Sequence, residues 1–233
     1  MTAARHAVRG AILDVDGTLV DSNDQHARAW VAALRESGFD IRYEQVRPLI
    51  GMGGDRLIPR LTGLDDESPI GSRVRERREE IFRAQYLPHL ESFAEVRALL
   101  QRMRDAGLVL AVASSAQPKD LERLLQLTGA DALIQSSTSA ADAGRSKPDP
   151  DVIHAALRRT GLGPDEVLML GDTPYDVESA GSAGIRTVAV RCGGWRDDAL
   201  CGALAIYDDP AALLASFDES PYASGIPSAE LAS

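Results

Sequence analysis

Short apolar segments alternate with amphipathic helical patterns along most of this chain. The apolar runs that predict buried strands are 8–13, 108–113, 167–170 and 187–190, with 133–134 and 204–207 as weaker candidates. The helical patterns between them are 93–105, 119–127, 150–160 and 175–183. This alternation predicts an α/β fold, a Rossmann-like parallel sheet with helices on both faces.

Residues 22–88 interrupt the alternation, because they contain helical patterns and no strand run. Ala27, Trp30 and Leu34 recur at helical spacing near the start of this segment. We therefore predict a helical cap domain over 22–88, inserted after the first strand of a catalytic core formed by 1–21 and 89–233. Within the cap, the Arg- and Glu-rich stretch 73–83 is interpreted as a solvated, salt-bridged helix face. The Ser-, Pro- and Ala-rich tail, 218–233, is expected to be peripheral.

Composition narrows the possible partners. The 233 residues are 44% hydrophobic, enough for a sizeable core, and the net charge is -10. An acidic chain is a poor electrostatic partner for nucleic acid or for an anionic membrane. The apolar runs are too short to span a bilayer, and no signal-peptide pattern is visible. We expect a cytoplasmic protein, monomeric or homodimeric, that binds neither nucleic acid nor membrane.

Polar residues collect where predicted strands end. Asp14 and Asp16 follow the first strand, Ser114 and Ser115 follow the run 108–113, and Asp172 follows the run 167–170. Ligands of open parallel α/β sheets bind at the carboxyl ends of the strands. These side chains are therefore expected to share one cleft.

The residue types at these positions suit phosphoryl transfer. Ionised Asp14 could attack phosphorus and form an aspartyl-phosphate, and Asp16 could act as general acid and base. Lys147 could neutralise the repulsion between carboxylate and phosphate, and so could a Mg²⁺ ion held by Asp14 and Asp172. Ser114, together with the backbone N–H of Ser115, could hold a phosphate oxygen.

Each of these features alone has a plainer explanation. An Asp-x-Asp pair is usually a turn, Ser114 a helix cap and Lys147 a solvated lysine. Asp172 and Asp176 would suit a helix start. Independent caps would not place a nucleophile, an acid, a cation and a metal ligand in one cleft, so the combination favours catalysis.

The motifs in their order resemble the haloacid dehalogenase-like hydrolases. Asp14-Val15-Asp16-Gly17-Thr18 is similar to the first signature of that family. Ser114, Lys147 and Gly171-Asp172-Thr173-Pro174-Tyr175-Asp176 are similar to the second, third and fourth. The resemblance implies Asp14 as nucleophile and Asp16 as general acid/base. It also implies a Mg²⁺ site formed by Asp14, Asp16 through its backbone carbonyl, Asp172 and Asp176.

The resemblance also separates subgroups of the family. Dehalogenases lack the second aspartate and the metal, so Asp16 and Asp172 argue against dehalogenation. The sugar phosphomutases share a histidine on the first cap helix, here His26, and carry a cation on the cap loop that is 51–56 in this chain. Gly51, Arg56 and His26 are therefore candidate substrate contacts.

Three functions remain open from the sequence. The leading hypothesis is Mg²⁺-dependent hydrolysis of a small phosphorylated metabolite, phosphoglycolate-like or a sugar phosphate. The first alternative is a phosphomutase of the β-phosphoglucomutase type. The second is a non-catalytic phospho-acceptor or binding protein. For an enzyme of this type we expect the cap to open and close about linkers near 21–23 and 88–92.

Overall fold

The structure, a computed structural model, describes residues 5–227. Two sheets are present in this part of the chain. Their strands are β1 (Arg5–His6), β2 (Gly10–Leu13), β3 (Val109–Ala113), β4 (Ser136–Thr138), β5 (Val167–Gly171), β6 (Arg186–Val190), β7 (Ala205–Tyr207) and β8 (Ile226–Pro227). The main sheet is parallel throughout, in the order β4-β3-β2-β5-β6-β7, while β1 and β8 form a small antiparallel pair.

Helices occupy most of the remaining described chain. The α-helices are α1 (Asn23–Glu36), α2 (Tyr43–Val46), α3 (Gly54–Thr62), α4 (Pro69–Ile81), α5 (Val96–Asp105), α6 (Pro118–Thr128), α7 (Asp151–Thr160), α8 (Pro174–Ser182), α9 (Pro210–Ala215) and α10 (Pro221–Ser224). A π-helical segment, Phe82–Tyr86, continues α4. None of the described helices is long and apolar enough to cross a bilayer.

The two faces of the sheet are covered by different helices because successive strand residues point to opposite sides. On β2, Ile12 packs in a cluster that contains residues of α7 and α8. Its neighbours Ala11 and Leu13 belong to the larger cluster, with residues of α5, α6 and α9. Burial on both faces explains why these strands are continuous apolar runs, and the predicted Rossmann-like α/β fold is confirmed.

The order of the strands creates the crevice for a site. Strand β2 pairs with β3 on one side and with β5 on the other; from β3 the chain continues outward to β4, and from β5 it continues in the opposite direction to β6 and β7. The crossovers from the two neighbours therefore separate at the carboxyl end of β2, where Asp14 follows.

No named strand lies between β2 and β3 in the described chain. The helical segments of residues 23–89, which precede α5, are called the helical insertion below. Its two connections to the core run side by side, since Asp21 N–H donates to Glu91 O and Phe93 N–H donates to Leu19 O. Apolar residues of α1 and α4, such as Leu34 and Val74, join the larger core cluster. The division into cap and core domains stays a prediction.

Two predictions about secondary structure and the C-terminal tail are wrong. Residues 133–134 are not a strand, because Asp131–Leu133 forms a 3₁₀ turn and the strand is the polar segment Ser136–Thr138. An edge strand is paired on one side only, so it does not need a full apolar run. The tail is not peripheral up to Pro227, since Tyr222 and Ile226 are buried in the core. Residues 228–233 lie outside the described chain.

Candidate active site

Asp14 and Lys147 meet at the carboxyl end of β2. Lys147 Nζ donates to Asp14 Oδ1 at 2.6 Å and to Ala113 O at 3.1 Å. It also lies 2.7 Å from Asp176 Oδ1. The lysine side chain is 2% exposed. Burial lowers its pKa, but Asp14 and Asp176 together outweigh burial and raise it, so Lys147 is a fixed cation.

A second buried carboxylate, Asp172, follows β5. Its Oδ1 accepts from the Thr18 hydroxyl at 3.0 Å, and its Oδ2 accepts from Asn23 Nδ2 at 2.8 Å. Burial, followed by the charges of Asp14 and Asp176, raises the pKa of Asp172 well above its ordinary value. The site therefore holds Asp172 in one place while leaving its charge uncompensated.

The two carboxylate oxygens of Asp176 have different surroundings. Its Oδ2 accepts from the backbone N–H and the hydroxyl of Thr173, which completes a capping box at the start of α8. Its other oxygen, Oδ1, has no hydrogen bond of good geometry although Lys147 Nζ is close. The side chain of Asp176 therefore both stabilises the start of α8 and contributes an oxygen to the site.

These carboxylates suit a divalent cation. Asp14, Asp172 and Asp176 each offer an oxygen, and the three oxygens lie within 4.8 Å of one another. All three residues are buried, and Lys147 is the cation placed among them. Burial, partly offset by Lys147 and reinforced by the charge of Asp176, raises the pKa of Asp14 to about 7. Oxygen ligands with excess negative charge are what Mg²⁺ prefers, so the residues fit this ion.

Gly17 lets the chain pass between these groups. Its φ is +81°, and a Cβ there would lie 2.1 Å from Asn23 Nδ2 and 2.4 Å from Asp172 Oδ2. Both the backbone conformation and the close approach require glycine.

Asp16 faces the helical insertion. Its Oδ1 accepts from Ser22 Oγ at 2.6 Å and lies 2.8 Å from His26 Nε2. Burial raises the pKa of Asp16, but His26, Ser22 and Arg78 together outweigh it and lower the pKa to about 2. On the other side of the ring, Nη2 of Arg78 contacts His26 Nδ1. Because Arg78 is a donor only, Nδ1 accepts, and the ring proton is on Nε2, directed at Asp16.

Arg78 is the residue that the sequence interpretation missed. The prediction of a solvated face holds for Arg77, which pairs with Glu36 and Glu80, but it is wrong for Arg78. The Arg78 guanidinium lies 5.2 Å from the ring centroids of both Trp30 and Phe82. Position 78 is four residues after Val74 and four before Phe82, so helical spacing places it on the buried face of the segment. That spacing was the available signal.

The two predicted serines differ in position. Ser114 is buried, and its Oγ accepts from the Ala116 N–H at 3.0 Å, as in a turn. Ser115 lines the cavity next to Asp14, and its buried Oγ has no hydrogen-bond partner among the described residues. Ser115 is therefore the hydroxyl available to a ligand.

A cavity of about 90 Å³ lies between the core and the helical insertion. Gly51 lines it, at a φ of +108°, whereas Arg56 lies outside it and pairs with Asp149. Its wall is formed by residues of both parts: Asp14, Asp16, Lys147, Asp176, Ser115, Asp120, His26, Trp30, Gly51, Arg78 and Phe82. Arg83 connects the helical insertion to helix α6 of the core, because it donates to both carboxylate oxygens of Asp120 at 2.6 and 3.1 Å.

Comparison with known proteins gives the class. A family profile described as haloacid dehalogenase-like hydrolase matches residues 11–190. The phosphoglycolate phosphatase of Rhodospirillum rubrum is 31% identical over 217 residues, covering 88% of this chain and 89% of that protein. The putative pyrophosphatase PpaX of Caldanaerobacter subterraneus is 30% identical over 185 residues, covering 79% and 82%. A crystal structure of a hydrolase from Pseudomonas syringae matches with a TM-score of 0.84 at 27% identity, covering 91% and 98%.

The fold and the carboxylate site thus define an α/β hydrolytic enzyme with its site at the carboxyl ends of parallel strands. The chain belongs to the haloacid dehalogenase-like hydrolase family. It is an enzyme of the phosphatase type, and both predictions made from the motifs are confirmed.

Proposed function

We propose that this enzyme hydrolyses a small phosphomonoester, with Mg²⁺ as cofactor, through a covalent aspartyl-phosphate on Asp14. One observation carries the proposal: Asp14 Oδ1 lies 2.6 Å from a buried ammonium, beside two further buried carboxylates. A carboxylate that must approach a phosphate dianion needs positive charge nearby, which Lys147 and a Mg²⁺ ion bound at the carboxylates would supply.

The reaction would proceed in two steps. In the first, a carboxylate oxygen of Asp14 forms a bond to phosphorus, the ester P–O bond breaks, and the leaving oxygen takes the proton of protonated Asp16. In the second, the Asp16 carboxylate takes a proton from water as the water oxygen attacks phosphorus, the bond to Asp14 breaks, and inorganic phosphate leaves. Lys147 would neutralise phosphoryl charge in both steps, and Ser115 Oγ would donate to a phosphoryl oxygen.

The metal would bind at the carboxylates described above. Asp14, Asp172 and Asp176 would hold Mg²⁺, together with the backbone carbonyl of Asp16. When bound, the ion supplies further neutralisation of charge on the transferring group.

The state of Asp16 gives the helical insertion a role. Bound to His26, Asp16 is a carboxylate and can act as the base that activates water. A neutral His26 carries one ring proton and cannot give it up, so the pair cannot supply the proton for the leaving oxygen. We infer that Asp16 acts as an acid when the insertion moves and His26 separates from it. The paired backbone linkers at Asp21 and Glu91 would be the hinge.

The relatives suggest where to search for the substrate. One is named a phosphoglycolate phosphatase and another a putative pyrophosphatase. A compact cavity suits small phosphorylated metabolites of this range. We propose such a metabolite as the substrate.

The test is a phosphate-release assay on a panel of small phosphomonoesters, with and without Mg²⁺. We expect hydrolysis that requires the ion and that falls by at least about 10³-fold in Asp14→Asn. The wild-type protein, quenched during turnover, should gain the mass of one phosphoryl group on the peptide that contains Asp14. Asp40→Asn, the same change at an exposed site, is the control. Undiminished turnover in Asp14→Asn would exclude the mechanism.

A phosphomutase is the second candidate, and the contact of His26 with Asp16 favours it. A mutase must keep water from the aspartyl-phosphate, and an insertion that stays closed through the contact of His26 with Asp16 would help to exclude water from the cavity. Product analysis on sugar monophosphates decides between the two. Isomerised sugar with little free phosphate would support the mutase, and stoichiometric phosphate would support the hydrolase.

A further inference from the structure

We propose that Arg78 is a specificity-determining residue that binds a compact anionic group, a carboxylate, on the leaving group of the substrate. The inference rests on the proposed function and deepens it. It depends on where the guanidinium lies, what surrounds it and what it lacks.

The guanidinium of Arg78 makes no direct ion pair among the described residues, and burial lowers its pKa despite the opposing charges of Asp16, Glu79 and Asp120. Nη2 contacts the neutral nitrogen Nδ1 of His26, and Nε is buried without a hydrogen-bond partner among the described residues. No carboxylate of the described chain lies within ion-pair distance, 4.0 Å, of this side chain. A partly buried cation without a direct carboxylate partner is costly, and a bound anion would reduce that cost.

Other arginines nearby show that this is a local exception. Arg75, on the same helix, pairs with Asp66 at 2.9 Å, and Arg77 pairs with Glu36 at 2.6 Å. Arg83, one turn further on, makes a bidentate pair with Asp120. Arg78 instead points between Trp30 and Phe82, whose rings form a rigid apolar frame for it. The frame leaves one edge of the guanidinium toward the cavity, which Arg78 lines.

The position of Arg78 identifies the part of the substrate that it would meet. His26 separates it from Asp16, the group proposed to protonate the leaving oxygen. Lys147 and Ser115, proposed to hold the transferring phosphoryl group, belong to the core wall of the cavity, while Arg78 belongs to the insertion wall. An anion bound at Arg78 would therefore be on the leaving group, not on the phosphoryl group being transferred.

The size of the cavity limits that anion. About 90 Å³ accommodates only a few atoms beyond the phosphoryl group, far less than the roughly 300–1,000 Å³ of a typical ligand pocket. A carboxylate one or two carbons from the ester oxygen fits this limit. A planar guanidinium also matches the geometry of a carboxylate. The class of substrate is therefore a short phosphorylated hydroxy acid.

The test compares substrates that differ in this group alone. Phosphoglycolate is paired with hydroxyethyl phosphate, and phosphoglycerate with glycerol phosphate; each pair exchanges a carboxylate for a hydroxymethyl group. We expect the wild-type enzyme to prefer the acid of each pair by about tenfold to hundredfold in kcat/KM. Arg78→Gln should lose most of this preference, mainly through a higher KM for the acids. Arg78→Lys should retain part of it.

A purely structural role for Arg78 predicts a different result. If Arg78 only orients His26, Arg78→Gln will lower kcat/KM equally for acids and for neutral partners, and that outcome overturns the inference. Arg77→Gln, on the same helix with its partners on the surface, is the control and should leave the preference unchanged. If Arg78→Gln does not fold, the wild-type preference and Arg78→Lys still decide.

The inference and the proposed function fail separately. Hydrolysis of the neutral esters without preference for the acids would leave the phosphatase proposal standing and overturn the role of Arg78. No Mg²⁺-dependent hydrolysis of any ester would overturn both.

Discussion

The two walls of the cavity differ in how their polar groups are satisfied. On the core wall, Asp14 and Asp176 are held by fixed donors: a lysine, hydroxyls and a backbone N–H. The buried Asp172, which belongs to the same carboxylate cluster, is held by a hydroxyl and an amide. On the insertion wall, a cation lies between two aromatic rings and lacks a carboxylate partner. The core wall is arranged for one reaction, while the insertion wall is arranged to accept a group from outside. We therefore expect changes in the core wall to affect the reaction itself and changes in the insertion wall to affect which substrates are accepted.

The largest expected effect tests the core wall. Asp172→Asn removes one of the three proposed metal ligands while keeping the shape of the side chain. We expect Mg²⁺ affinity to fall by roughly 100-fold or more, with a comparable loss of turnover. Titration calorimetry with Mg²⁺ measures the affinity independently of activity. Asp198→Asn, at an exposed acid, is the control, and equal Mg²⁺ affinity in both variants would remove Asp172 from the site.

Backbone placement at the same wall is the next test. Gly17→Ala places a Cβ at a left-handed φ, 2.1 Å from Asn23 Nδ2 and 2.4 Å from Asp172 Oδ2. We therefore expect a loss of about 3 kcal/mol or more in the free energy of unfolding. Gly38→Ala is the matched control, since its φ is +88° and nothing lies within 4 Å. That variant should lose only about 1–2 kcal/mol from the backbone. Urea unfolding measures both, and equal losses would show that the close packing around Gly17 is unimportant.

The raised pKa of Asp14 on the core wall predicts how the stability of the protein depends on pH. The pKa of Asp14 is raised from 3.8 to about 7 in the folded protein, chiefly by burial. At a pH between these two values, Asp14 is ionised in the unfolded chain but still protonated in the folded protein. The free energy of unfolding without added metal should therefore fall as pH rises from about 4 to about 7. Stabilisation by Mg²⁺ should increase over the same range.

Thermal unfolding of wild type and Asp14→Asn, with a chelator and with Mg²⁺, checks this. The Asn variant should have a flatter profile because the titrating group is gone. A difference between the two proteins that stays constant from pH 4 to 7 would contradict the assignment.

The smallest expected effect concerns the boundary between the walls. Arg83→Gln removes both hydrogen bonds to buried Asp120 and loosens the insertion from α6. We expect KM to rise about two- to tenfold with little change in kcat, because the closed cavity is less populated. Hydrogen exchange at residues 82–89 should become faster. Arg77→Gln, whose partners are exposed, should change neither KM nor the exchange rate. Equal behaviour of the two variants would mean that the Arg83–Asp120 pair does not hold the cavity closed.

Much of the core wall was predictable because its residues follow strands directly. Apolar runs predicted β2, β3 and β5, and parallel strands bring their carboxyl ends to one edge, so Asp14, Ser114 and Asp172 had to be neighbours. Lys147 was recognisable only with its motif, because it reaches the site from a loop. Edge strand β4 escaped prediction because three polar residues carry no periodic apolar pattern.

The insertion wall was less predictable for a physical reason. The sequence by itself predicted a helical segment over 22–88, with apolar residues at helical spacing on its first helix. Which side chains of those helices meet the core depends on how the helices pack, and packing joins residues such as His26 and Arg78 that are far apart in the chain. Only the tertiary structure showed Arg78 between the rings of Trp30 and Phe82 and Arg56 paired with Asp149, because the packing of the helices decides what each arginine contacts.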